Sequence, residues 1–194
     1  MLIVSALNIE IMPLVMALKA EKIRTYSNKT ALYRSEDHDI LVVGVGPLMA
    51  ERTLLSYLDE FTPDYILNTG TAGKMIEELE IGKVYQIATV MTDNEESIDL
   101  DLLLDEKGAA CLSLRRPLTD AEQRDRSSRE LGASLADMEC YTIAKIAQDK
   151  HIPMSALKVI SDFADCATRE MFKQHIHEVS QTLCDELLLI LDKV

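Results

Sequence analysis

The sequence is short of basic residues, and this shortage excludes two classes of partner. Its 194 residues include 20 Lys and Arg against 33 Asp and Glu, which gives a formal net charge of −13 at pH 7. A surface that binds nucleic acid needs clustered Lys and Arg to displace counterions from the phosphates, and an anionic membrane attracts the same residues. We therefore expect the protein to bind neither nucleic acid nor a membrane.

Cysteine is also scarce, and its spacing argues against a metal site or a disulfide framework. Cys111, Cys140, Cys166 and Cys184 form no CxxC pair, and no His stands at zinc-ligand spacing from them. Widely spaced cysteines are typical of buried, reduced thiols in a cytosolic protein. The sequence predicts no metal and no cofactor.

The N-terminus lacks both a basic leader and a long hydrophobic run. Residues 1–7 are apolar but contain no Lys or Arg. Asn8, Glu10 and Pro13 then interrupt the run before it reaches the length of a signal-peptide core or a membrane span. The sequence therefore predicts a cytoplasmic protein.

Apolar strands alternate with helical patterns along the chain. At roughly 150 residues per domain, the length predicts a single domain over residues 1–194. Several strands are continuously apolar, which indicates a sheet covered on both faces. We expect an α/β fold with three layers, α/β/α, around a central mixed, mostly parallel sheet. The expected strands are Leu2–Leu7, Ile40–Val43, Asp64–Leu67, Val84–Thr92, Ala109–Leu114 and Ser155–Ser161.

The segments between these strands are predicted to be helices, turns and one loop. Residues 68–73, Asn-Thr-Gly-Thr-Ala-Gly, are expected to close the third strand as a glycine-rich turn. Residues 93–108 are acidic and polar and predict a surface loop or a short helix. The expected helices begin after the first strand, at Pro47, at the capping box of Thr119 and Glu122, near Met138 and at about Thr168, the last one running to the C-terminus.

Acidic residues cluster where the ligand of such a sheet binds, beyond the carboxyl ends of the strands. Glu10 follows the first strand, Glu139 stands at the start of a helix, and Asp162 follows the last strand. Each could be an ordinary helix-terminal acid, but all three fall at the same predicted edge. Because no His or Cys stands at these strand ends, the set favours acid–base chemistry on a polar neutral substrate.

Two glycine motifs differ in how specifically they predict a ligand-binding site. Gly44-Val45-Gly46 lacks the third glycine and the Lys that nucleotide-phosphate motifs need, so it predicts only a tight turn between a strand and a helix. The block at residues 68–73 is more specific, because glycines let backbone N–H groups approach a ligand closely. A plain turn is the open alternative there.

Three sequence blocks carry a resemblance to a known family. They are residues 68–73, Asp137-Met138-Glu139 and Val159–Asp165. In order and spacing they resemble signature blocks of the nucleoside phosphorylase/nucleosidase superfamily, closest to the methylthioadenosine/S-adenosylhomocysteine nucleosidases. Residues 5–10 are similar to the acidic N-terminal motif of that branch. The resemblance covers nearly the whole chain and implies hydrolysis of the N-glycosidic bond of a purine nucleoside, with adenine as the expected base.

The resemblance also implies a role for each candidate residue. Glu10 would orient and deprotonate the attacking water, and Asp162, supported by Ser161, would donate a proton to N7 of the base. Met138 would pack on the ribose, while Glu139 would accept hydrogen bonds from its 2′- and 3′-hydroxyls. These roles suit a reaction that leaves positive charge on the sugar and negative charge on the base. Further implied contacts are Thr71 near the sugar and nucleophile, Phe163 at the base and Phe172 at the 5′ substituent.

The match weakens between the fifth predicted strand and Asp137. Related enzymes carry there a Ser-Gly-Asp segment and an aromatic residue that stacks on the base, whereas residues 114–119 of this chain contain no aromatic residue. This part is more similar to a branch that includes adenosylhopane nucleosidase-like proteins, and futalosine hydrolases are also relatives. Residues 93–108 are shorter than in relatives, which place part of a lid and a dimer contact there. The resemblance implies a homodimer and leaves the 5′ substituent open.

Two alternatives to a hydrolase stay open. Phosphorolysis needs a cationic anion site, and Arg115 and Arg116 are either such an anion contact or a solvated strand end. Glu10 argues for the hydrolase, since a carboxylate at that place would repel phosphate. A nucleoside-binding relative without activity is the second alternative.

Overall fold

A mixed sheet with helices on both faces forms the protein. The computed structural model describes residues 1–192, except for the side chains of Thr168 and Arg169. The strands of this part are β1 (Leu2–Ser5), β2 (Glu21–Ser27), β3 (Thr30–Arg34), β4 (Asp39–Val42), β5 (Ile66–Lys74), β6 (Val84–Met91), β7 (Ser97–Asp99), β8 (Ala109–Ser113), β9 (Leu135–Asp137) and β10 (Met154–Asp162). The helices are α1 (Asn8–Ala17), α2 (Pro47–Leu58), α3 (Ala121–Leu131), α4 (Cys140–Asp149) and α5 (Thr168–Leu191).

The pairing of the strands closes part of the sheet into a ring. On one side, β1 lies parallel between β4 and β5, and the antiparallel strands β3 and β2 continue the sheet to its edge. On the other side, β5 pairs with β10, β10 with β6, β6 with β8, and β8 with β9. β9 then returns to β5 through the pairs Gly73 with Ala136 and Lys74 with Leu135. β5 is therefore a member of both parts of the sheet.

The helices cover the two faces in pairs. Successive residues of a strand point to opposite faces, and β1 shows this directly. Ile3 packs in one core with Leu14 of α1 and Leu183 of α5. Val4 packs in the other core with helices α2 and α4, which include Leu54 and Ile143. The predicted α/β class with a mixed, two-sided sheet is confirmed. In the part of the chain that the structure describes, no helix has the length and hydropathy needed to cross a membrane.

The predicted glycine turn at residues 68–73 is wrong. β5 continues through this block as a strand, because β10 pairs with it in parallel from Ile66 to Gly73. Gly70 is needed for a different reason: its φ is +145°, and a Cβ at this position would lie 3.2 Å from the carboxylate of Glu10. Glycine therefore makes room here for an acidic side chain.

Three smaller predictions are also corrected. The capping box of Thr119 and Glu122 is wrong, because α3 begins after Asp120, whose carboxylate accepts a hydrogen bond of 2.8 Å from the N–H of Gln123. Residues 93–108, predicted as a loop or helix, contain strand β7, which pairs with β6. Of the four cysteines, Cys166 is exposed and the others are buried.

Other predicted boundaries hold closely. Pro47 is the first residue of α2, and Gly46 before it has a φ of +90°, as the predicted strand-to-helix turn requires. The last helix begins at Thr168 as predicted. The end of that helix was predicted at the C-terminus, and residues 193–194 lie outside the described part of the chain.

Candidate active site

A cavity of about 490 Å³ opens beside the carboxyl ends of β1, β9 and β10. The acids Glu10, Glu139 and Asp162, which lie far apart in the sequence, all line this one cavity. The volume falls in the range of pockets that bind small molecules. The other sequence-predicted residues that line it are Thr71, Met138, Ser161 and Phe172.

The carboxylate of Glu10 is buried and held by four hydrogen bonds. Its Oε2 accepts from the hydroxyl of Ser5 and from the N–H of Leu7, each at 3.0 Å. Its Oε1 accepts from the N–H of Thr71 at 3.1 Å and from the hydroxyl of Thr71 at 2.6 Å. The bond to Leu7 exists because Glu10 lies in the first turn of α1 and can fold back on the residue before the helix. Only 4% of Glu10 is exposed, so the carboxylate has one fixed orientation.

Glu139 lies at the start of α4 and faces the same cavity. Its Oε1 accepts a hydrogen bond of 2.5 Å from the N–H of Gly46, which ties the turn before α2 to the start of α4. Burial raises the pKa of Glu139 to about 8, and the nearby negative charge of Asp137 contributes to this increase. Glu139 is therefore a carboxyl group whose charge changes near neutral pH.

A buried ion pair that was not predicted from the sequence lies close to Glu139. Nζ of Lys158, in β10, is 2.8 Å from Oδ2 of Asp137, and both side chains are almost fully buried. Burial lowers the pKa of Lys158, but the attraction of Asp137 outweighs this effect and leaves the pKa above its ordinary value. Asp137 also accepts hydrogen bonds from the hydroxyl of Ser113 and the N–H of Cys140. The sequence does offer one sign of this pair, because Lys158 is the single charged residue in the predicted strand Ser155–Ser161.

Asp162, the last residue of β10, is fixed by the turn that it begins. Its Oδ2 accepts from the hydroxyl of Ser161 at 2.6 Å, and its Oδ1 accepts from the N–H of Ala164 at 2.9 Å. β5 passes so close that a Cβ on Gly73 would lie 2.6 Å from Oδ1 of Asp162. The glycine at position 73 is thus required by the position of this acid.

An aliphatic wall replaces the aromatic residue that the sequence lacks. Pro117, Leu118 and Thr119 line the cavity near Asp162. Leu118 is 6% exposed and packs with Ala136 and Ala164 in a small third core, separate from the two that flank the sheet. Among the described lining residues, the aromatic one is Phe172. A flat ligand group beside Asp162 would therefore contact aliphatic carbon.

Three of the sequence-predicted residues do not reach this cavity with their side chains. Phe163 is 37% exposed, and its ring centroid lies 4.9 Å from Nζ of Lys74, outside the cavity lining. Arg115 lines a second cavity of about 700 Å³ between α2 and α4. Arg116 is exposed and belongs to neither lining. Within residues 1–192, no cluster of three or more His, Cys, Asp or Glu side chains has the arrangement of a metal site.

Comparison with known proteins finds nucleosidases that are similar in sequence and in structure. A 5′-methylthioadenosine/S-adenosylhomocysteine nucleosidase from Buchnera aphidicola is 23% identical over 208 positions, covering 90% of this chain and 88% of the relative. A Helicobacter pylori enzyme of the same name, solved as a mutant with 5′-methylthioadenosine in its active site, is 18% identical. It superposes with a TM-score of 0.88 over 100% of this chain and 98% of its own.

A third similar protein carries a different name. The futalosine hydrolase of Helicobacter pylori is 19% identical, with a TM-score of 0.88 over 100% of this chain and 97% of that one. The sequence profile described as "Phosphorylase superfamily" matches residues 109–193, which include Met138, Glu139 and Asp162. The fold, the relatives and the profile thus agree with the resemblance of the three sequence blocks to the superfamily of nucleoside phosphorylases and nucleosidases.

Proposed function

We propose that this protein is a nucleosidase that hydrolyses the N-glycosidic bond of an adenine nucleoside carrying a 5′ substituent, such as methylthioadenosine or S-adenosylhomocysteine. The observation that carries the proposal is the meeting of Glu10, Glu139 and Asp162 in one cavity of suitable size. The names of the relatives support the same reaction, since those from Buchnera and Helicobacter are nucleosidases.

In this proposal Glu10 is the general base. Its fixed carboxylate accepts a proton from a water molecule as the water oxygen attacks C1′ of the ribose. The groups that donate hydrogen bonds to Glu10 hold its carboxylate in one orientation. This lowers the entropic cost of bringing the water molecule to the sugar. Thr71, which binds Glu10 directly, positions this general base.

Asp162 acts on the departing purine base, and Glu139 acts on the ribose. As the bond from C1′ to N9 breaks, Asp162 transfers its proton to N7 of the base, so that the departing adenine leaves as a neutral molecule. Glu139 accepts hydrogen bonds from the 2′- and 3′-hydroxyls, and in its charged form it stabilises the positive charge that develops on the ribose. Met138 packs on the sugar, Ser161 supports Asp162, and Phe172 lines the space for the 5′ group.

Water is favoured over phosphate as the nucleophile. A phosphorylase holds its anion with Arg or Lys, and the described lining residues of the cavity include neither. Arg115 faces the second cavity, and Arg116 faces solvent. The negative charge of Glu10 would also repel a phosphate.

The test is a panel of nucleosides incubated with the protein, with and without phosphate, followed by chromatography for the free base. We expect adenine to be released from 5′-substituted adenosines without phosphate, and not by a Glu10→Gln variant. Strict dependence on phosphate would identify a phosphorylase. Binding of adenine with no release from any nucleoside would identify an inactive relative.

We also propose that the protein is a homodimer, acting in the cytoplasm in purine salvage. The second cavity supports the dimer: its wall includes Val45 and Leu48, which are 48% and 57% exposed, and Val45 and Met138 line both cavities. A second copy seated there would cover this apolar surface. Light scattering should give twice the monomer mass, and Leu48→Asp should give the monomer. A wild-type monomer at micromolar concentration would contradict the dimer.

A further inference from the structure

The turn after β10 is strained, and it carries Asp162. Residues 162–165 form this turn, which we call the acid loop. Ala164 has a φ of +49°, in the left-handed region that residues other than glycine adopt only at an energetic cost. Its N–H donates to Oδ1 of Asp162, so the strained conformation is what aims the amide at the carboxylate. A strained turn persists only where neighbouring groups hold it.

Phe163 is held by two cations from different elements. Nη1 of Arg124, in α3, donates a hydrogen bond of 3.1 Å to the carbonyl oxygen of Phe163. Nζ of Lys74, at the end of β5, lies 4.9 Å from the centroid of the Phe163 ring, within the range of a cation–π contact. Lys74 is itself fixed by donating to the carbonyl of Leu79 at 2.9 Å. The acid loop is thus held at its backbone and at its side chain.

The contact from Arg124 is unusual for its helix. None of the residues of α3 is buried, and the side chain of Arg124 is only 21% exposed because it turns toward the acid loop. Asp125 lies 2.7 Å from the guanidinium and Asp165 lies 3.9 Å from it, so acidic groups on both elements face this cation. Through Arg124, a helix with no fully buried residue contacts the acid loop directly.

We propose that Arg124 and Lys74 are positioning residues of the nucleosidase, which hold Phe163 so that the acid loop keeps Asp162 in place at the cavity. The inference rests on the proposed function. Neither cation lines the cavity, so both act through the acid loop and not on the substrate. The ring of Phe163 lies beside Nζ of Lys74 and outside the cavity lining.

Amide hydrogen exchange tests the structural half of the proposal without any substrate. In Arg124→Ala, the peptide covering residues 161–167 should exchange roughly 10-fold faster than in the wild type, as expected for the loss of a hydrogen bond from a charged group. Arg126→Ala is the matched control, since Arg126 is an exposed arginine of the same helix. Equal exchange in the two variants would overturn the proposal.

Kinetics test the catalytic half. Because Arg124 and Lys74 act on the proton donor through the acid loop, Arg124→Ala should lower kcat by roughly 10- to 100-fold while KM changes less. Arg124→Lys should recover part of kcat, and Phe163→Leu, which keeps the carbonyl but loses the ring, should lower it. Melting temperatures separate these effects from misfolding.

The kinetic outcomes distinguish the two proposals. If the wild type is active and kcat is unchanged in both Arg124→Ala and Phe163→Leu, the positioning role of Arg124 and Lys74 is disproved and the proposed function is unaffected. A wild type that releases no base from the nucleosides overturns the proposed function, and the exchange rates then decide on their own whether Arg124 holds the acid loop.

Discussion

Thr71 binds one carboxylate oxygen of Glu10 through two of its own groups, its N–H at 3.1 Å and its hydroxyl at 2.6 Å. Thr71 belongs to β5 and Glu10 to α1, so this contact joins the proposed base to the strand that also neighbours Asp162. The proposed base and acid of the reaction are thus positioned by the same strand.

Removal of the Thr71 hydroxyl should slow the reaction. Thr71→Val keeps the N–H but loses a hydrogen bond to a charged group, whose removal costs about 1.5–3 kcal/mol. We expect kcat to fall by about one to two orders of magnitude. Thr71→Ser, which restores the hydroxyl, is the control. Equal kcat in wild type and Thr71→Val would show that the backbone donor alone positions Glu10.

Replacement of Asp162 by Asn should remove the proton donor and retain the shape of the cavity. General acid catalysis contributes roughly 10²- to 10⁴-fold, so we expect kcat to fall by that factor, measured as release of adenine. Asp185→Asn is a matched control, because Asp185 is an exposed residue of α5. Unchanged turnover in Asp162→Asn would falsify the assignment.

Glu139 should make the protein less stable as the pH rises. Its folded pKa of about 8 lies above the ordinary value of 4.5, so the folded protein keeps a proton that the unfolded chain releases. The stability from this proton is complete below pH 4.5 and is lost as the pH rises through 8, at up to about 1.4 kcal/mol per pH unit.

Urea unfolding of Glu139→Gln between pH 5 and 8 measures this contribution. Because glutamine does not titrate, we expect the free energy of unfolding of the variant to increase relative to the wild type across this range. A constant difference would mean that Glu139 has the same pKa in both states.

Breaking the ion pair of Lys158 and Asp137 should reduce the stability of the protein far more than breaking an exposed ion pair with the same distance between nitrogen and oxygen. Lys158→Met leaves Asp137 charged and buried, which costs about 3–5 kcal/mol in the free energy of unfolding. Adding Asp137→Asn should recover part of this loss.

The chain contains its own control for this experiment. Lys145 and Asp149 also lie 2.8 Å apart, but in solvent, and Lys145→Met should change the stability by about 1 kcal/mol or less. Equal effects of Lys145→Met and Lys158→Met in urea unfolding would contradict a role for burial.

The sequence predicted the parts of the fold that depend on local pattern. Continuous apolar runs identified the buried strands around β1, β4 and β10. The positions of Glu10 and Asp162 after such runs, and of Glu139 at a helix start, correctly predicted that the three acids share one edge. The hairpin of β2 and β3 was missed, because the residues of β2 are mostly exposed at the edge of the sheet and show no apolar alternation.

The features that were predicted wrongly or not at all share a physical cause, which is contact between segments that are distant in the sequence. Residues 68–73 look like a turn, but β10, from the other end of the chain, pairs with them and extends β5. Lys158 gives no local sign that Asp137 will neutralise it, since the two meet only when β9 and β10 join the same ring. Phe163 stands in a signature block, but its ring lies beside Lys74 and outside the cavity lining, and the sequence does not show that the two residues are neighbours.

The ring of strands also determines when during synthesis the site can form. β5 ends at Lys74, but its partner β10 begins only at Met154 and carries Asp162 at its end. Pairing between segments so distant has a large loop-closure cost and is slow, and chains fold from the N-terminus as they leave the ribosome. The N-terminal strands can therefore form early, whereas Glu10 and Asp162 meet only after β10 has emerged. The proposed base and acid are thus kept apart in any growing chain that has not yet reached the end of β10.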